Sequence, residues 1–205
     1  MTITNAFDAT ATSIRPIDSA RLRRAKISHV TRRLNVIEHG RYLLSGDVEP
    51  RAGDVVLARV DEIRHHTRLE LSTGRKCIMF PGDEIVLCYG DRYAPDQFCA
   101  EVPKDLSACS LVAAGGMAAA VVSMHKRIAG ATGITPLGLI ASSPAHRMNV
   151  MDGALRSAGW SSPKPPTFAV FGTAMNSGKT ISAAHLVKGL HRAGLRVGAD
   201  RKSVV

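Results

Sequence analysis

Aromatic residues are scarce in this chain: one Trp, three Tyr and five Phe among 205 residues. That weakens any function built on base-stacking platforms. Long apolar runs are missing as well. The longest uncharged one, 111–124, has 14 residues and contains two glycines, against the roughly 20 that a membrane helix needs. The amino terminus, MTITNAFDAT, has neither the basic nor the apolar region of a secretory signal. No CxxC occurs among Cys77, Cys88, Cys99 and Cys109, and no pair of histidines stands near them. The spacing argues against zinc and reads as buried thiols of a reducing compartment. These absences predict a cytoplasmic protein that does not enter a membrane.

What is present is globular in character: 45% apolar residues and a length that fits one or two domains. The formal net charge of +10 is unevenly spread, with +4 in residues 1–40, −3 in 41–110, +3 in 111–163 and +6 in 164–205. Arg21, Arg23, Arg24, Lys26, Arg32 and Arg33 form the one dense basic cluster. It reads first as a solvated face and second as a phosphate-tracking patch, which leaves room for a nucleic-acid partner.

Five segments follow from the pattern. Residues 1–40 are expected to be a flexible, basic amino-terminal stretch. Residues 41–108 read as a small β-rich domain, barrel- or sandwich-like. Its strands are 55–63 (VVLARVDEI), 67–71, 77–80 and 84–89 (EIVLCY), rich in β-branched and large apolar side chains. Two of them begin with the same device, Gly53-Asp54 and Gly82-Asp83, in which Asp can cap a turn that Gly permits. This segment is expected to be the most independently stable unit. Residues 109–141 read as a short α/β segment of strand, Gly115-Gly116 turn, helix over MAAAVVSMHKRI, and strand. Residues 142–166 turn polar and proline-rich, and read as a linker. His65-His66 is expected in an exposed loop, and 91–97 in a capped turn.

The chemistry lies in the last segment, 167–205, TFAVFGTAMNSGKTISAAHLVKGLHRAGLRVGA and onward. Residues 167–171 read as a buried-type strand and Gly172 to Gly178 as a loop. The helix that follows carries Ala183, Leu186, Val187 and Leu190 on one face, with Gly194 to close it. Strand, glycine loop, GKT and helix is the context of a Walker A phosphate loop. Asn176, Ser177, Gly178, Lys179 and Thr180 would turn backbone N–H groups toward a phosphate at the positive end of the helix. Lys179, the expected catalytic residue, would pair with the β- and γ-phosphates, and Thr180 would give its hydroxyl to Mg²⁺. Five residues separate Gly172 from Gly178 where the strict pattern has four, so Thr173 occupies the usual first-glycine position.

The loop GTAMNSGKT resembles the GTxxxxGKT phosphate loop of dethiobiotin synthetase and related P-loop NTPases. It is similar also to the loops of molybdopterin-guanine-dinucleotide accessory proteins, in the class of the MinD-like ATPases. The signature lysine of the MinD-type loop is absent: Gly172, Thr173 and Ala174 stand there. The resemblance covers one strand–loop–helix unit and implies ATP or GTP as ligand, with Mg²⁺ and a second substrate it does not identify. Such domains use a downstream carboxylate for the metal, and Asp200 is the one acidic residue after the loop. The ending ADRKSVV also breaks the pattern, so the chain reads as truncated within an incomplete parallel-sheet P-loop domain.

The expected fold class is therefore α/β plus all-β. The expected function is nucleotide binding through Gly172, Thr173, Asn176, Ser177, Gly178, Lys179 and Thr180, in a parent enzyme of the NTP-hydrolysing, ligase or phosphoryl-transfer kind. The fragment itself is expected to be inactive, and its oligomeric state is left open. The alternative is a β-barrel ligand- or nucleic-acid-binding module with a vestigial P-loop.

Overall fold

A computed structural model describes residues 11–155, 165–173 and 177–199. The chain divides into two compact units, Met1–Ala154 and Leu155–Val205. The first is mostly β-sheet with a few short helices, in a large mixed sheet of eleven strands plus a two-stranded hairpin. Its elements are β1 (Ser13–Pro16), α1 (Ser19–Arg24), β2 (Lys26–Ile27), α2 (Val36–His39), β3 (Tyr42–Ser45), β4 (Val55–Glu62), β5 (Arg68–Glu70) and β6 (Lys76–Ile78). They continue with β7 (Glu84–Tyr89), β8 (Arg92–Tyr93), β9 (Phe98–Glu101), β10 (Cys109–Ala113), β11 (Met117–Met124), β12 (Thr132–Ser143) and β13 (His146–Arg147).

Strand pairing closes on itself. β12 pairs with β4, β4 with β7, β7 with β11, β11 with β10, and β10 with β12 again. All of these are antiparallel except β7–β11. β2 runs parallel along the same edge of β7 that β11 uses, at Ile85 and Val86, while β11 takes Cys88 and Tyr89. Closure removes the open edges that a small sheet would otherwise expose.

The period-2 geometry of a strand explains why residues 55–58 are all buried. Val56, Ala58 and Val60 point into the barrel with Ile85, Leu87, Tyr89, Leu111, Ala118, Ile134 and Leu139. Val55 and Leu57 point outward, where Leu22, Leu34 and Val36 cover them together with Val86 and Ile140. A third cluster, Phe98, Ala100, Val112 and Ala119, lies between β9, β10 and β11. The two Gly-Asp starts adopt one turn. Gly53 and Gly82 have φ of +85° and +91°, and Asp54 and Asp83 accept from the N–H three residues earlier, Arg51 at 2.9 Å and Phe80 at 2.6 Å.

The structure departs from the sequence reading in five places. Residues 117–124 form β11 and not a helix, because Ala118 and Ala119 face the barrel interior and the outer cluster in turn. Tertiary pairing to three strands there overrides the helix propensity of alanine. The β-rich unit consequently exceeds 41–108, since β10, β11 and β12 complete the ring. Within residues 11–40, Leu22 is fully buried, so α1 is part of the core and no flexible arm. Residues 142–154 are folded rather than linking. Buried Asp54 accepts from Arg147 Nη1 at 3.0 Å and Asn149 Nδ2 at 3.0 Å, and Asn149 and Asp152 form a capping box. Residues 165–171 contain no strand, and Phe168 and Phe171 are exposed; a strand-type sequence without a hydrogen-bonding neighbour has nothing to pair with.

In the second unit, α3 (Lys179–Arg192) occupies the expected place. Gly194, with φ +80°, ends it: its N–H donates to His191 O at 3.0 Å and that of Leu195 to Leu190 O at 3.2 Å. This is the paired bonding that satisfies the last carbonyls of a helix. No helix among the described residues is long and apolar enough to cross a membrane.

Candidate functional site

The candidate phosphate loop is built from local geometry. Gly172 approaches the far end of the loop so closely that a Cβ on it would lie 2.0 Å from Ser177 Oγ and 2.8 Å from Lys179 Cγ. A side chain at 172 would require the Ser177 and Lys179 side chains to move. Lys179 Nζ donates to Ser177 Oγ at 3.2 Å, and the lysine is half-buried while Thr173, Ser177, Gly178 and Thr180 are exposed. Asn176 lies outside the described residues.

Gly178 is the residue before α3, with φ +82°, a conformation that favours glycine. Nothing lies within 4 Å of where its Cβ would stand. It offers no capping side chain, and the first turn of α3 holds no acidic residue. The leading N–H groups of the helix thus keep their partial positive charge, which an anion can meet. Among the described residues no group of three or more His, Cys, Asp or Glu is placed to hold a metal ion. A Mg²⁺ ion here would draw its ligands from the triphosphate, water and the Thr180 hydroxyl.

The helix carries the expected face only in part. Ala183, Val187 and Leu190 are half-buried, whereas Leu186 is 37% exposed and Ile181 67%. No residue of α3 is fully buried.

The basic cluster at residues 21–33 is largely engaged from within. Arg21 makes a two-pronged pair with Glu84, Nη2 to Oε1 at 2.6 Å and Nε to Oε2 at 2.9 Å, which holds the Glu84 carboxyl below its usual range. Lys26 pairs with Asp83 and sits over the Phe80 ring. Arg23 donates to Ser19 Oγ, and Arg32 to His29 O. Of the acidic residues of 41–110, Asp83 and Glu84 are thus paired with basic residues of that cluster, a match that separate segment charges do not reveal.

Of the two loop histidines, His65 is exposed and His66 is not. His66 Nε2 lies 3.0 Å from Val112 O, and its ring packs edge-on to Phe98. Burial lowers its pKa from 6.5 to about 4. Residues 91–97, expected as a capped turn, hold strand β8 and the turn into β9: Asp91 accepts from the N–H of Val102, just past β9, at 2.8 Å and Arg92 donates to Gln97 Oε1 at 2.7 Å. Burial pushes the Cys88 thiol up to about 11 and that of Cys109 to about 12, so neither offers a thiolate nucleophile near neutrality. Comparison with protein families, with curated protein sequences and with solved structures finds no match for the chain.

Proposed function

We propose that residues 172–180 bind the phosphates of a nucleoside triphosphate, ATP or GTP, with Mg²⁺, in the service of a nucleotide-dependent reaction. The observation that carries this reading is the close approach of Gly172 to the side chains of Ser177 and Lys179, where a Cβ would stand 2.0 Å from Ser177 Oγ. Ser177 stands beside Gly172, and Gly178, which supplies no capping side chain, leads directly into α3. Open space at Gly178 gives a phosphate oxygen access to the backbone. Lys179 supplies the positive charge for the β- and γ-oxygens, and the amides of 178–180 supply oriented donors. Magnesium, when bound, neutralises charge between the outer phosphates, and Thr180 is the side chain that reaches it.

Calorimetry with ATP and GTP tests the assignment. Lys179→Ala weakens triphosphate binding by about 1.5–3 kcal/mol, the scale of a charge-assisted hydrogen bond. Equal affinity in wild type and variant would sink it. Thr180→Ala acts mainly when Mg²⁺ is present, and an identical loss in EDTA would remove the metal role.

A further inference from the structure

We propose that a cleft at one end of the barrel binds a small organic anion, at a site separate from residues 172–180 and independent of the reading given to them. Its walls are two connections distant in sequence. Glu62 at the end of β4 and Ile63, Arg64 and His65 in the link after it form one wall, and Arg127, Ile128 and Ala129 in the link before β12 form the other. The cleft is wide and open to solvent, with a volume of about 470 Å³.

The walls are tied together, so the cleft is formed before anything enters it. Thr132, fully buried, accepts from Arg64 N–H at 3.1 Å and donates to His66 O at 2.8 Å. His65 N–H donates to Gly130 O at 3.2 Å. The Arg64 side chain is itself held, with Nε 2.8 Å from Glu62 Oε2 and Nη1 donating to Ala129 O at 3.2 Å. Gly130 permits this: a Cβ there would lie 2.7 Å from both Arg64 Cδ and Nη1, and its φ is +140°. The residue therefore has to be glycine for Arg64 to line the cleft.

The two arginines differ in charge balance. Arg64 is compensated by Glu62, whereas the Arg127 guanidinium makes no ion pair among the described residues. A site with one compensated and one uncompensated cation, beside the apolar side chains of Ile63 and Ile128, suits a single oxyanion on an apolar body. Arg127 receives the phosphate or carboxylate, a geometry its planar fork favours. The two isoleucines meet the body, and the His65 ring bounds it.

The test uses the full-length chain labelled with ¹⁵N and titrated with phenyl phosphate, benzoate and inorganic phosphate. Phenyl phosphate or benzoate is expected to shift the amides of His65, Ile128, Ala129 and Gly130 saturably. The tighter of the two identifies the oxyanion, and inorganic phosphate, lacking the apolar body, binds more weakly than phenyl phosphate. The shifts persist in Lys179→Ala, and in Arg127→Gln the affinity falls about tenfold or more. Arg127 is exposed, so that variant keeps its fold. Absence of saturable shifts at these amides, or unchanged affinity in Arg127→Gln, would overturn the proposal. Shifts confined to 172–180 and lost in Lys179→Ala would also overturn it while leaving the phosphate-loop reading intact.

Discussion

Gly116 meets Ser28 at the point where β2 gives way to β11 along one edge of β7. A Cβ on Gly116 would stand 2.2 Å from both Ser28 Cβ and Oγ, and the residue has φ +111°. Ser28 N–H donates to Val86 O, and Cys88 N–H donates to Gly116 O, so two distant segments share one strand edge without a gap. Gly116→Ala must strain the backbone and push against a buried neighbour. It is expected to cost about 2–4 kcal/mol. Urea denaturation measures this, and an unchanged midpoint would show that the junction yields.

Asp54 is the polar residue that anchors the end of the barrel unit. Its carboxylate is 3% exposed and is held by Arg147, Asn149 and the Arg51 N–H. Asp54→Ala leaves three donors without their acceptor and is expected to cost about 3 kcal/mol. Chemical denaturation of Asp54→Ala, Arg147→Met and the double variant separates loss of the pair from loss of one partner; Arg147→Met should cost less only if Asn149 and the Arg51 amide suffice to hold the carboxylate.

His66 makes the unit sensitive to acid. The ring titrates at about 4 when folded and at 6.5 when free, so the unfolded chain takes up its proton first. Its contribution is complete above pH 6.5 and declines as pH falls toward 4. Because the ring is partly solvated, the loss is about 2 kcal/mol and not the full value of the shift. His66→Gln should flatten the stability profile between pH 7 and 4. Parallel profiles for the two proteins would assign the acid sensitivity to other groups.

Residues 1–154 are expected to fold alone. All three apolar clusters lie between Ile17 and Val150, and the compact unit ends at Ala154. The isolated segment should melt within about 3 °C of the full chain, a difference of about 1 kcal/mol at most for a unit this size. A segment limited to 41–108 should give no cooperative melt, since β4 lacks β12 and β7 lacks β11.

Steady nucleotide turnover by residues 1–205 is not expected. Phe171 is 88% exposed, and α3 buries no side chain fully. A helix of this length without packing is marginal in water, and the loop amides hold their geometry only while it is formed. Sustained ATP hydrolysis that Lys179→Ala abolishes would refute this expectation.

The legible parts of the chain are those decided by neighbours in sequence. Residues 55–62 and 84–89 declare themselves as strands because branched apolar side chains occupy both faces, and the Gly-Asp turns precede each. The helix end at Gly194 is likewise local. β11 is illegible because Ala118, Ala119 and Ala120 favour a helix until three strands surround them. The cleft between Arg64 and Arg127 is hidden for a related reason: residues far apart in the chain meet only through the β4–β12 register.

That register also sets an order of events during synthesis. Glu62 pairs with Gly133 and Val56 with Leu139, separations of about 70–80 residues, the non-local kind that slows folding. Strands β4 and β7 leave the ribosome long before β12 can close the ring over them. The nascent chain thus presents unpaired, aggregation-prone edges for several seconds at ordinary elongation rates of about 5–20 residues per second.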